Sequence, residues 1–150
     1  MVSFIKYHPR SNTYVIEKRA FLYENLTLDG NVIVGQEVKF WKNLTVTGRL
    51  ELGKGSVVRG NVKARSALVC SRAKILGNIE TISELFLLDK AKISAAACQG
   101  DIRVRPGCVI DSVKADGTLE IVGKALVRKV EPLTKVVIRG EEQSVFPTNF

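Results

Sequence analysis

The feature that most limits how this chain can fold is a three-residue unit, apolar–any–apolar, that recurs every five to seven residues. Every third unit superposes at a spacing of 17 or 18 residues. One series runs Tyr14/Ile16, Val32/Val34, Leu50/Leu52, Leu68/Cys70, Leu85/Leu87, Ile102/Val104, Leu119/Ile121 and Val136/Ile138. A second runs from Ala20/Leu22 and Val38/Phe40 through Gly55/Val57, Ala73/Ile75, Ala91/Ile93 and Cys108/Ile110 to Ala125/Val127. A third runs from Leu26/Leu28 through Leu44/Val46, Val62/Ala64, Ile79/Thr81, Ala96/Cys98 and Val113/Ala115 to Val130/Pro132. None of these 44 positions is charged, although 25% of the chain is, a proportion that would put about eleven charges in an arbitrary set of that size.

Alternation over three residues is strand chemistry, because first and third side chains share a face. Three short strands per period, joined by tight corners, stack each strand on its equivalent one period later. The inward pairs then form one dry column, which no single turn could build alone. At about 4.8 Å per turn, seven turns make a rod roughly 34 Å long. The expectation is a single-domain, all-β, three-sided parallel β-helix over residues 14–138. Flexible tails of residues 1–13 and 139–150 flank it. Asn12, Gly30, Gly48, Ser66, Ser83, Gly100, Gly117 and Thr134 stand two residues before first-series strands, where bends need close approach or positive φ. Asn43, Asn61 and Asn78 precede equivalent strands. A side-chain amide ladder would explain them, but left-handed corners are the favoured reading. No sustained spacing of 3 and 4 supports an amphipathic helix. Tyr14–Leu28 is the most ambiguous stretch, and its register assigns it to the first turn.

The units GRLEL (48–52), GNVKA (60–64), GNIET (77–81), GDIRV (100–104) and GTLEI (117–121), with Ala-Lys-Ile at 73–75 and 91–93, resemble those of the bactofilins. That family forms cytoskeletal polymers. The resemblance covers roughly residues 30–127. It implies a right-handed β-helix and nucleotide-free, end-to-end assembly into non-polar filaments, often near a membrane. Two departures stand out. The last ribs, Val127 to Ile138, are aliphatic where such families often carry an aromatic. The N-terminal half is rich in aromatics, with Phe21, Phe40 and Trp41.

A solenoid exposes unpaired backbone and an apolar cross-section at each end unless something caps it. Longitudinal contacts are therefore expected at Tyr14, Ile16, Leu22 and Leu26 at one end, and at Val127, Val130, Val136 and Ile138 at the other. A cap would come from a tail, with Phe146 and Phe150 suited to the role. Middle residues of the strands point outward. Among them Val69 with Phe86, and Val109 with Leu126, form apolar pairs expected to make lateral contacts. Phe4, Ile5 and Lys6 are candidates for weak membrane contact, multiplied by assembly.

The expected partner is the chain itself, with a membrane surface or cell-envelope components as further candidates. No run of eighteen apolar residues and no secretory signal pattern occurs, so a cytoplasmic place is expected, to which the resemblance adds the inner face of the membrane. The net charge of +8 allows an anionic partner. Nucleic acid is disfavoured, because Glu80 and Glu131 interrupt the stripe that Lys63 and Lys114 would form. A hexapeptide-type acyltransferase is the rival reading of the same fold. Its chemistry usually needs histidine, and His8 stands alone. No catalytic residue, cofactor or metal site is expected. Cys70, Cys98 and Cys108 lack zinc spacing and fall on inward positions.

Overall fold

A computed structural model describes residues 4–140. The chain runs β1 (Ile5–His8), β2 (Thr13–Ile16), β3 (Phe21–Leu22), β4 (Leu26–Leu28), β5 (Asn31–Val34), β6 (Lys39–Phe40), β7 (Leu44–Val46), β8 (Arg49–Leu52) and β9 (Val57–Val58). It continues with β10 (Val62–Val69), β11 (Lys74–Leu87), β12 (Lys92–Cys98), β13 (Asp101–Val104), β14 (Val109–Ala115), β15 (Thr118–Val122), β16 (Leu126–Val130) and β17 (Lys135–Arg139). No helix occurs among the described residues. Every strand after β1 pairs in parallel with strands one coil away, as in β2–β5–β8 and β4–β7–β10. The molecule is a β-solenoid of about seven coils with three strand columns, called here faces one, two and three. The longer strands, such as β11, bend through corners and contribute to more than one face.

Equivalent residues stack as the repeat requires. Leu85 pairs with Ile102 and Ile102 with Leu119, and all three are fully buried. Removing such a side chain costs about 2–5 kcal/mol. Two coils slip by one residue from the expected register. Ser56 and Val58, not Gly55 and Val57, face inward, and Ala67 and Val69 replace Leu68 and Cys70. In both places the sequence is small or apolar at consecutive positions (Ser56-Val57-Val58, Ala67-Leu68-Val69-Cys70), so either alternation reads as a strand. A one-residue slip exchanges the two faces. The backbone pairing decides, with Ala67 opposite Leu50 and Leu85. Ser56 is tolerated inside because its hydroxyl donates to Gly35 O at 3.0 Å and accepts the Val38 N–H at 3.1 Å.

The corners follow two rules. At six successive turns from face one to face two, Arg19, Glu37, Gly55, Arg72, Lys90 and Gly107 hold positive φ. Each N–H there donates to a carbonyl of the next coil, as Arg72 does to Asp89 O at 3.2 Å. Elsewhere the small residues answer close approach: a Cβ on Gly53 would collide with the carbonyl oxygens of Gly35 and Val34. The asparagines follow neither reading as stated: none of Asn43, Asn61 and Asn78 holds positive φ, and the column is linked from side chain to backbone. The Oδ1 atoms of Asn25, Asn43 and Asn61 accept the backbone N–H of Asn43, Asn61 and Asn78 at 3.0, 2.8 and 2.9 Å. A parallel stack leaves these corner N–H groups without a backbone partner, and a short amide reaches them.

Candidate assembly surfaces

The two ends differ. At the N-terminal end, residues 5–8 do not belong to a tail. They fold back as β1, antiparallel to β2, with Ile5 opposite Ile16 and Tyr7 opposite Tyr14. The physical reason is the bare edge of β2, whose N–H and C=O groups need partners. The turn is secured by Asn12, whose N–H donates to Pro9 O at 3.2 Å and whose Oδ1 accepts the Tyr7 hydroxyl at 2.8 Å. The Glu17 N–H donates to Phe4 O at 2.9 Å. The Tyr7 and Tyr14 rings lie 4.6 Å apart. Of the expected contact residues here, Ile16 is fully buried, and Tyr14, Leu22 and Leu26 are partly buried against the core. Ile16 is therefore withdrawn as a contact, because β1 covers it. Faces two and three stay uncovered, since β3 pairs with β6 and β4 with β7, and no described strand precedes either.

At the C-terminal end no described strand covers any face. The last strands are β16, which pairs with β14, and β17, which pairs with β15. Val136 continues the column above Leu119, and Ile138 that above Ile121. Yet Ile138 is 71% exposed, against 8% for Ile121 beneath it. Val130 and Val136 are also exposed and Val127 is half-buried, so all four expected residues converge on one open apolar cross-section. The expected C-terminal tail begins within β17, which reaches Arg139; residues 141–150, with Phe146 and Phe150, lie outside the described residues.

On the sides, Val69 is a correction. It is fully buried because of the register slip, and Leu68 takes the outward place beside Phe86. Phe86 is half-buried beneath Arg103, whose guanidinium carbon lies 5.5 Å from the ring centre. Val109 and Leu126 are outward neighbours on face two, with Leu126 exposed. Of the proposed membrane residues, Phe4 is exposed. Ile5 packs against the core and Lys6 pairs with Glu17 at 3.5 Å, so neither is free for the role expected of it. Among the described residues no helix is long and apolar enough to cross a membrane.

One cluster escaped the sequence reading. Tyr23, Trp41 and Arg59 stand one above the other at the corner after face two, with Phe21 beside them. The Arg59 guanidinium lies 4.0 Å from the Trp41 ring centre. Their constant spacing of 18 residues was the available signal.

The thiols are quiet. Burial chiefly raises the pKa of Cys108, and its Sγ donates to Leu88 O at 3.0 Å. Cys70 is a second correction: it sits half-buried at a corner rather than in the core, and burial, then the nearby Glu51 carboxylate, raises its pKa. Among the described residues no three potential ligands gather to hold a metal ion.

No family model matches the chain, and no curated protein or solved structure matches it either.

Proposed function

We propose that this chain is a structural protein whose solenoid rods join end to end into filaments or scaffolds, with a second copy of the chain as the principal partner. One observation carries the reading. At the C-terminal end β16 and β17 have no strand partner on their outer edge among the described residues, and Val130, Val136 and Ile138 are exposed beside that edge, directly above a fully formed core. Such an edge templates another chain, and burying the apolar cross-section drives the contact. The bactofilin-like units in the sequence support the same reading.

Electron microscopy of the stained, purified chain tests it. Filaments are expected from the parent. Val136→Lys combined with Ile138→Lys should give short particles with an unchanged β-type circular dichroism spectrum, because both sites are exposed and lie in the outermost described coil, where little packing is lost. Discrete particles from the parent, or filaments from the double variant, would reject the proposal.

A subsidiary proposal concerns the inner face of a membrane. Phe4, just before β1, and Tyr7 on β1 are exposed, with basic Arg10 in the turn that follows, a pattern suited to an interfacial contact. Flotation with anionic vesicles, lost on Phe4→Ser with Tyr7→Ser, would support it. Equal flotation of the two chains would end it.

A further inference from the structure

Face three carries an ordered column of outward side chains. In successive coils it reads Lys63, Glu80, Ala97, Lys114, Glu131, each in register above the last. The signs are antisymmetric about Ala97: one coil away stand Glu80 and Lys114, and two coils away Lys63 and Glu131. The column is flanked at its centre by small Ala95, and a hollow of about 490 Å³ opens over Ala95, Ala97 and Ser112. Lys63, Glu80 and Lys114 make no ion pair among the described residues, although oppositely charged neighbours lie one coil away. Glu131, the fourth charge of the column, already pairs with Lys129 at 3.5 Å, and some outward charges elsewhere are held within the chain. Glu120 holds both Arg103 and Arg139 at 2.7 Å, Asp89 holds Arg105 at 3.2 Å, and Asp111 holds Arg128 at 3.0 Å.

We infer that face three packs against face three of a second copy, the two rods antiparallel, about a two-fold axis that passes by Ala97 and runs along the strands. Of the closed two-fold arrangements of these two faces, only this orientation brings opposite charges together. With the rods antiparallel, Glu80 meets the other copy's Lys114, Lys63 meets its Glu131, and symmetry repeats each pair. With the rods parallel about a two-fold axis, every charge would meet its own kind, a juxtaposition that opposes association. The small residues at the centre let the two sheets approach, and closed two-fold symmetry stops growth in this direction at two. The contact is short, about five coils of one narrow face, and so belongs to the weak, salt-sensitive class. It does not depend on the end-to-end contact.

The end-blocked chain, carrying Val136→Lys and Ile138→Lys, allows the face to be studied by itself. Sedimentation velocity at on the order of 0.1 mM chain and low salt should show a dimer that dissociates as salt is added. In that background Lys114→Glu should weaken dimerisation about 100-fold, since one substitution creates two like-charged pairs. Glu80→Lys should do the same. The decisive step mixes the two. Their heterodimer places Glu80 against Lys114 and the introduced glutamate against the introduced lysine, so two separately monomeric chains should dimerise on mixing. A monomeric parent, dimers that survive either single reversal, or a mixture that stays monomeric would each overturn the inference. Both sites are exposed and outward, and circular dichroism will report that the fold is kept.

Discussion

The two ends of this rod are built from the same kind of coil and finished differently. At the N-terminal end the inward column of face one gains one more layer, Ile5 and Tyr7 of β1, and Ile16 beneath is completely hidden. At the C-terminal end the same column reaches Val136 and Ile138, and among the described residues no further layer covers either. A residue's worth in a solenoid thus depends less on its type than on whether a further layer lies above it. The antiparallel direction of β1 matters as well. A parallel strand would have needed a full coil of chain to arrive, whereas a hairpin closes the edge with a four-residue turn.

The sharpest way to break that contrast uses one chemical change at both ends. Ile16→Ala should cost about 2–4 kcal/mol in urea denaturation, and Ile138→Ala below about 0.5 kcal/mol, measured on dispersed chain. Equal losses would mean the ends are alike. Next in size, Ile5→Asp should detach β1 at a cost of about 1–2 kcal/mol and expose the β2 edge. Hydrogen exchange would then rise at the β2 amides facing β1, and unchanged exchange there would show that β1 does not protect them. A comparable loss, about 1 kcal/mol, is expected for Asn61→Ala, which leaves the Asn78 N–H without its acceptor. If thermal denaturation does not change, the asparagine column is incidental.

The smallest effect is a labelling rate. Cys70 is half-buried and should be the first thiol modified in native protein, with Cys98 and Cys108 following only on opening. Because its pKa is raised above the ordinary thiol value of 9.0, the thiol stays neutral at pH 7, and its rate should still be climbing beyond pH 9. If Cys108 labels as fast as Cys70, fraying from the open end reaches further than the buried column of Ile102 and Leu119 suggests.

Much of this architecture was legible in the residues. Leu50 and Ile102 stand out because charged residues flank them on both sides, and Leu119 because Thr118 and Glu120 do, so only one alternation is possible there. Leu68 and Gly55 were misplaced because consecutive small or apolar residues permit two alternations, and the choice belongs to the backbone pairing with neighbouring coils. β1 was illegible for another reason. Its four residues alternate over too short a span to register, and its partner strand is formed only once the solenoid exists. The position of Val127, Val130, Val136 and Ile138 in the last described coil followed from the repeat itself. The lateral pair failed at Val69 through the same slip that moved Leu68.

The register between coils has a consequence for rod length. Glu84 and Asp101 occupy equivalent places, as do Leu85 and Ile102. Excising residues 85–101 would therefore splice one winding onto the next without a seam, shortening the molecule by about 4.8 Å while both termini keep their form. Duplicating the same stretch would lengthen it by an equal step. Span and joint are separate settings in such a protein, so a gene could vary one by whole windings and leave the other untouched.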